Sequence, residues 1–200
     1  MIKKNNRYKK RTKIGKFHTV YRGPIYEVQQ ARAENSNGKQ MVFEQIVRPD
    51  GAAVIPIDRK GRVLLAREYR QKVQRYSWVF PGGRGEKGER PKSIAEREIQ
   101  EEIGMMPNKL KLFHVFRFSN TLAWKDYYFL GGDLVPSFLP DDEDEDIRVQ
   151  PVTFKQAFQM VLSGEIENPK VAFIIIKLYR LRTSVARWAR SSHLVRARFT

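Results

Sequence analysis

The sequence contains no cysteine, which excludes disulfides, thiolate metal sites and a cysteine nucleophile. A chain without disulfides suits a reducing compartment, and a cytoplasmic location is the expectation. Long hydrophobic runs are also missing. The longest, residues 171–176, is far too short to cross a bilayer, so no membrane span is expected. The basic N-terminus lacks the apolar stretch of a signal peptide. Only three histidines occur, His18, His114 and His193, far apart in sequence, and each is expected to be an ordinary core or surface residue.

Acids are missing from both ends. None precedes Glu27 and none follows Glu167. The net charge of +16 therefore gathers at the termini, with eight Lys and Arg in residues 1–16 and seven from Lys177 onward. The body between is near neutral. Basic ends attract polyanions, so nucleic acid is a possible partner, although charge alone also serves solubility. Residues 1–16 read as a disordered basic arm and residues 183–200 as a basic C-terminal tail. One domain is expected across residues 17–182.

What the chain does have is a dense carboxylate stretch, residues 83–105, GRGEKGERPKSIAEREIQEEIGM. Pro91 suits a first helical turn, and nothing from Lys92 to Ile103 breaks a helix. At 100° per residue, Glu98, Glu101 and Glu102 fall within about one third of the circumference. Ala95, Ile99 and Ile103 form the neighbouring stripe and predict a packed face. Carboxylates held this close repel one another unless a cation lies between them. Oxygen donors without cysteine or paired histidine point to Mg²⁺ or Mn²⁺. Before the helix, Pro81, Gly82 and Gly83 let backbone approach a ligand and free the Gly82 carbonyl as a further donor.

Elsewhere the pattern predicts strands. Residues 17–34 and 39–49 alternate apolar and polar around residues 35–38, which predicts an N-terminal β-hairpin turning at Asn37 and Gly38, within residues 17–48. Residues 52–58 and 61–70 read as two strands joined at 58–61, and residues 110–118 and 126–133 as two more. Residues 141–146 are six consecutive acids and read as a loop. Thr153 with Gln156 predicts a capping box, and Asn168 with Pro169 opens a last helix. Strands around one catalytic helix, with further helices after them, predict an α/β fold built on a mixed sheet between helical layers. Trp188 is expected to pack. Trp124 is open to base stacking, core packing or a dimer contact.

The carboxylate stretch follows Gly-x5-Glu-x7-Arg-Glu-U-x-Glu-Glu-x-Gly-U, with U a bulky aliphatic residue. Gly83, Glu89, Arg97, Glu98, Ile99, Glu101, Glu102, Gly104 and Met105 fill every fixed position. In this it resembles the Nudix hydrolase family. Residues 20–178 are similar to the ADP-ribose pyrophosphatase branch, through Tyr21, Arg22 and Gly23, the strand VLLAREYR, the loop EDEDIRV and the segment SGEIENPK.

The resemblance implies an α/β/α sandwich with a mixed central sheet and an N-terminal β-hairpin extension, and a homodimer is part of that picture. It implies metal-dependent hydrolysis of a nucleoside diphosphate linked to another moiety, ADP-ribose or a nucleotide sugar. Metal ligands would be Glu98, Glu102 and the Gly82 carbonyl, assisted by Glu101. Arg97 would orient a glutamate, and Glu89 would pair with that arginine or reach a metal through water. Glu143 would be the general base, with Glu145 as ligand or alternate. Arg70 and Gly83 would contact the diphosphate. The family pattern departs at Val79, where the branch favours glutamate, and at Thr121, where it favours proline. The alternative substrate is the 5′ end of RNA, engaged through the basic termini.

Overall fold

The computed structural model describes residues 12–118, 121–140 and 146–191. The candidate bases Glu143 and Glu145, His193 and most of both basic ends lie outside them. The chain forms two compact units, one from residues 1–49 with 117–125, the other from residues 50–116 with 126–200.

The first unit is an antiparallel sheet of β1 (Lys13–Ile14), β2 (His18–Arg22), β3 (Glu27–Glu34) and β4 (Gln40–Val47). β4 pairs along the full length of β3, Glu27 opposite Val47 and Glu34 opposite Gln40. The turn is where the sequence puts it: Gly38 takes φ 79° and donates to the Asn35 carbonyl at 3.1 Å. The first arm of the expected hairpin, however, is two strands. It folds back at Gly23 and Pro24, where Gly23 N donates to Tyr26 O at 2.9 Å, so β2 pairs with β3. Proline has no N–H to give a ladder, which is why the strand breaks there. Lys13 and Ile14, which composition assigns to the disordered arm, pair with Glu34 and Ala33. Residues 121–123 run beside β4, and the Trp124 ring meets Tyr26, Phe118 and the Arg48 guanidinium, the last 4.5 Å from its centroid. Trp124 is thus a packing residue of this unit.

The second unit is built on β5 (Gly51–Pro56), every residue of which is buried. Then follow β6 (Val63–Arg70), β7 (Arg75–Val79), β8 (Gly82–Arg84), α1 (Pro91–Ile103), β9 (Met105–Arg117) and β10 (Lys125–Pro136). β11 (Ile147–Val152), α2 (Phe154–Leu162) and α3 (Pro169–Arg190) complete it. Four strands form a mixed sheet in the order β8-β5-β10-β9, with β5 parallel to β10 and antiparallel to β8. β11, β6 and β7 form a separate antiparallel sheet. Alternation along β5 serves two cores. Ala52 and Val54 meet Ile94, Ala95 and Ile99 of α1, while Ala53, Ile55 and Ile57 meet the α2 and α3 residues. Helices therefore cover both faces of the mixed sheet, the α/β/α arrangement that the sequence predicts.

Local signals set the helices. Pro91 opens α1, and Gly104 closes it in the left-handed conformation, φ 65°, donating to Gln100 O. That turn delivers the chain straight into β9, which begins at Met105 and not at residue 110. The Thr153 and Gln156 capping box opens α2 as expected, and the Asn168 side chain caps α3.

α3 runs on to Arg190, so the first part of the expected tail is helix. The reason is packing. Val185 is 4% exposed, and the Trp188 ring lies against Gly132, where a Cβ would stand 3.2 Å from it. Trp188→Ala should lower stability by about 2 kcal/mol, less than for a fully buried tryptophan because the residue is only partly buried. Thermal unfolding should show a Tm lower by about 4–8 °C; an unchanged Tm would mean this end of the helix contributes nothing. No described helix is long and apolar enough to cross a membrane.

Candidate metal centre

The site forms where β8 and α1 meet. β8 pairs with β5, Gly82 opposite Ala53 and Gly83 opposite Ala52. A side chain is blocked by backbone at Gly82, and at Gly83 it could enter only by displacing Glu98. At Gly82 a Cβ would stand 2.4 Å from Ala52 O and from the Ala53 Cα. At Gly83 it would meet both carboxylate oxygens of Glu98 at 2.5 Å. Glu102 accepts from the Gly82 N–H, with both oxygens at 3.2 Å. Two neighbouring glycines thus hold one carboxylate each, and Glu98 and Glu102 stand side by side above the bend, one helical turn apart.

Gly83→Ala follows from this geometry. The added methyl must push the Glu98 carboxylate off its seat while leaving the sheet pairing intact. Activity should fall about 100-fold, the scale expected when a reacting group is misplaced by about 1 Å, with the Tm nearly unchanged. A rate matching the parent would show that the Glu98 position is immaterial.

Arg97 sits at the centre of the remaining acids. Its guanidinium meets Glu101 at 2.7 Å, Glu98 at 2.9 Å and Glu89 at 3.4 Å. It also donates to Arg84 O at 3.4 Å. Burial disfavours the Arg97 charge, but Glu89, Glu98 and Glu101 outweigh it and raise its pKa above the ordinary arginine value. Glu89 also accepts from the Glu86 N–H at 2.9 Å, which closes the loop before α1.

Glu98 is the most deeply placed of the acids, 9% exposed. Burial raises its pKa to about 7; Arg97 opposes that rise, and Glu101 and Glu89 add to it. A carboxylate that resists ionisation beside other acids is stabilised in its charged form by a cation.

Among the described residues, no three acids or histidines stand together as a closed metal cage. Arg97 takes up the charge of Glu89, Glu98 and Glu101 as the side chains stand. The donor set nonetheless fits a hard divalent cation: adjacent carboxylates on Glu98 and Glu102, Glu101 one turn away from the Arg97 side, and a glycine carbonyl beside them.

Other expected residues have partners of their own. Arg70 ends β6 and pairs with Glu68 at 2.7 Å. Glu68 is itself an 8% exposed acid that the strand pattern does not single out. Of the six-acid run, Asp146 is described, and its role is to anchor. It accepts from Tyr76 Oη and pairs with Arg148 at 3.3 Å, while its carbonyl receives the Tyr69 N–H. The Tyr76 hydroxyl, then Arg148, hold the Asp146 pKa below the usual carboxylate value. His114 is lodged between Phe116 and Phe173, its pKa lowered by burial and by Lys177. His18 lies exposed on β2.

Comparison with known proteins agrees with this architecture. The NUDIX domain model matches residues 47–172. The ADP-ribose pyrophosphatase of Bacillus subtilis (strain 168) is 30% identical over 161 residues, covering 78% of this chain and 86% of that protein. The ADP compounds hydrolase NudE of Escherichia coli (strain K12) is 31% identical over 137 residues, covering 64% of this chain and 69% of that protein. A crystal structure of an ADP compounds hydrolase superposes with a TM-score of 0.71 at 23% identity, covering 91% of this chain and 98% of that one. With the complete glutamate signature at the β8–α1 junction and a family match across most of its length, the chain belongs to the Nudix family and is a hydrolase.

Proposed function

We propose that the protein hydrolyses the diphosphate bridge of a nucleoside diphosphate linked to another moiety, ADP-ribose or a nucleotide sugar, and releases a nucleoside monophosphate and a phosphorylated sugar. The observation that carries this is the pair Glu98 and Glu102, set against the consecutive glycines Gly83 and Gly82. Glu98, Glu102 and the Gly82 carbonyl would hold Mg²⁺ or Mn²⁺, with Glu101 assisting. Such a cation neutralises phosphate oxygens and lowers the pKa of bound water. Arg97 is a positioning residue: its contacts go to Glu89, Glu98 and Glu101, and it fixes their rotamers through charge-assisted bonds. Arg70 and Gly83 contact the diphosphate. Glu143, with Glu145 as the alternate, takes the proton of the attacking water.

Purified protein with Mg²⁺ or Mn²⁺ should convert ADP-ribose or a nucleotide sugar to the two monophosphates, identified by chromatography against standards. Turnover of none of a panel of such compounds would end this reading. We also propose a homodimer through the first unit, whose β2 and β4 expose Val20, Tyr21 and Val42. Sedimentation should give twice the chain mass, and a monomer at micromolar concentration would exclude it.

A further inference from the structure

On the opposite face of the mixed sheet from α1, α3 runs beside β9, and neither element contains an acid. β9 is the edge strand of that sheet. Its alternation turns Lys109, Lys111 and Phe113 toward α3, because Phe113 joins the α3 core and Leu110 the α1 core. Two contacts fix how strand and helix lie together. Lys109 Nζ reaches Ser191 Oγ at 3.3 Å, and Lys177 Nζ donates to Phe113 O at 2.9 Å. Between these points α3 presents Lys177, Arg180, Ser184 and Arg187, which fall within about 80° of one another on the helix. From Lys177 to Arg187 the helix rises about 15 Å. Among the described residues, none of Lys109, Lys111, Lys177, Arg180 and Arg187 pairs with a carboxylate.

We propose that this flank binds the phosphodiester backbone of a single-stranded nucleic acid, separately from the metal centre and without breaking a bond. Like charges gathered along one valley are costly until a polyanion neutralises them. The shape favours a thread over a membrane. The exposed cations Lys111, Arg180 and Arg187 follow one flank of the helix and its edge strand, a line that an extended strand can track. Arginines at Arg180 and Arg187 add planar donors that suit phosphate oxygens. Phe173, 44% exposed and 4.8 Å from the His114 ring, offers a stacking surface at the end of the row.

The test uses the full chain in EDTA, so hydrolysis plays no part and the outcome is independent of the substrate reading. A fluorescent RNA of about 20 nucleotides with a 5′ hydroxyl is titrated by anisotropy between about 50 and 200 mM salt. The triple variant Lys111→Gln, Arg180→Gln, Arg187→Gln should bind about 30-fold more weakly, and its log–log salt slope should fall by about 2. All three side chains are exposed, so Tm and nucleotide-sugar hydrolysis should match the parent. Arg180→Lys with Arg187→Lys keeps the charge and should bind within about threefold of the parent. If the triple variant binds as tightly as the parent, the contacts lie in the terminal arms and the proposal fails. Binding to anionic phosphatidylglycerol vesicles without binding to the oligonucleotide overturns it equally.

Discussion

Glu102→Gln should cut kcat by about 10³-fold or more at saturating metal, while the protein stays folded. The two parts of this expectation come from different atoms. Glutamine has nearly the same shape, and its amide oxygen still accepts from the Gly82 N–H, so the contact that joins α1 to the glycine bend survives. A partly exposed change of this kind should move stability by no more than about 1 kcal/mol. The carboxylate charge is lost, and with it one of two anionic donors seated on adjacent glycines. A hard divalent cation held by one fewer charge binds less tightly and neutralises the diphosphate less well. Glu101→Gln should cost less, about 10-fold, because Glu101 spends its charge on Arg97 at 2.7 Å. Measured together, kcat for the two variants and Mn²⁺ affinity by calorimetry rank the acids. A Glu102→Gln enzyme within fivefold of the parent would remove this residue from the ligand set.

That ranking was only half legible in the sequence. Spacing put Glu98, Glu101 and Glu102 on one face of a helix, and Pro91 and Gly104 marked its ends, because these signals act within a few residues. The same holds for the turn at Gly38 and the capping box at Thr153. Spacing could not say that Glu98 is buried over Gly83 while Glu101 turns to Arg97, since both depend on β8 packing against α1. Long-range pairing hid the rest. The parallel match of β5 with β10 joins segments 75 residues apart, so no local pattern divides the strands between two sheets. The end of α3 was missed for another reason. Five arginines and no acid follow Leu181, so the composition reads as solvated tail. Yet Val185 and Trp188, one turn apart, are enough to dock it. The fold-back at Gly23 and Pro24 hides because the alternation continues on either side of it.

Burial of Glu98 also sets how stability should depend on pH. In metal-free protein its pKa rises to about 7 from an ordinary 4.5, so the folded state holds this proton more tightly than the unfolded state. The stabilisation is therefore fully present below the unfolded pKa and disappears as pH rises through the folded one. Across that window the loss is about 3 kcal/mol for this group. In EDTA the parent should lose about 6–12 °C in Tm between pH 5 and 8 relative to Glu98→Gln, which has no proton to release. Saturating Mg²⁺ or Mn²⁺ should reverse the trend in the parent alone. The cation competes with the proton for the same carboxylate, so its stabilising effect grows as pH rises. Differential scanning fluorimetry of both proteins, with EDTA and with metal, separates the Glu98 contribution from every other titrating group. Parallel curves for parent and variant in EDTA would mean that the carboxyl over Gly83 ionises freely. Its pull toward a cation would then need a source other than burial.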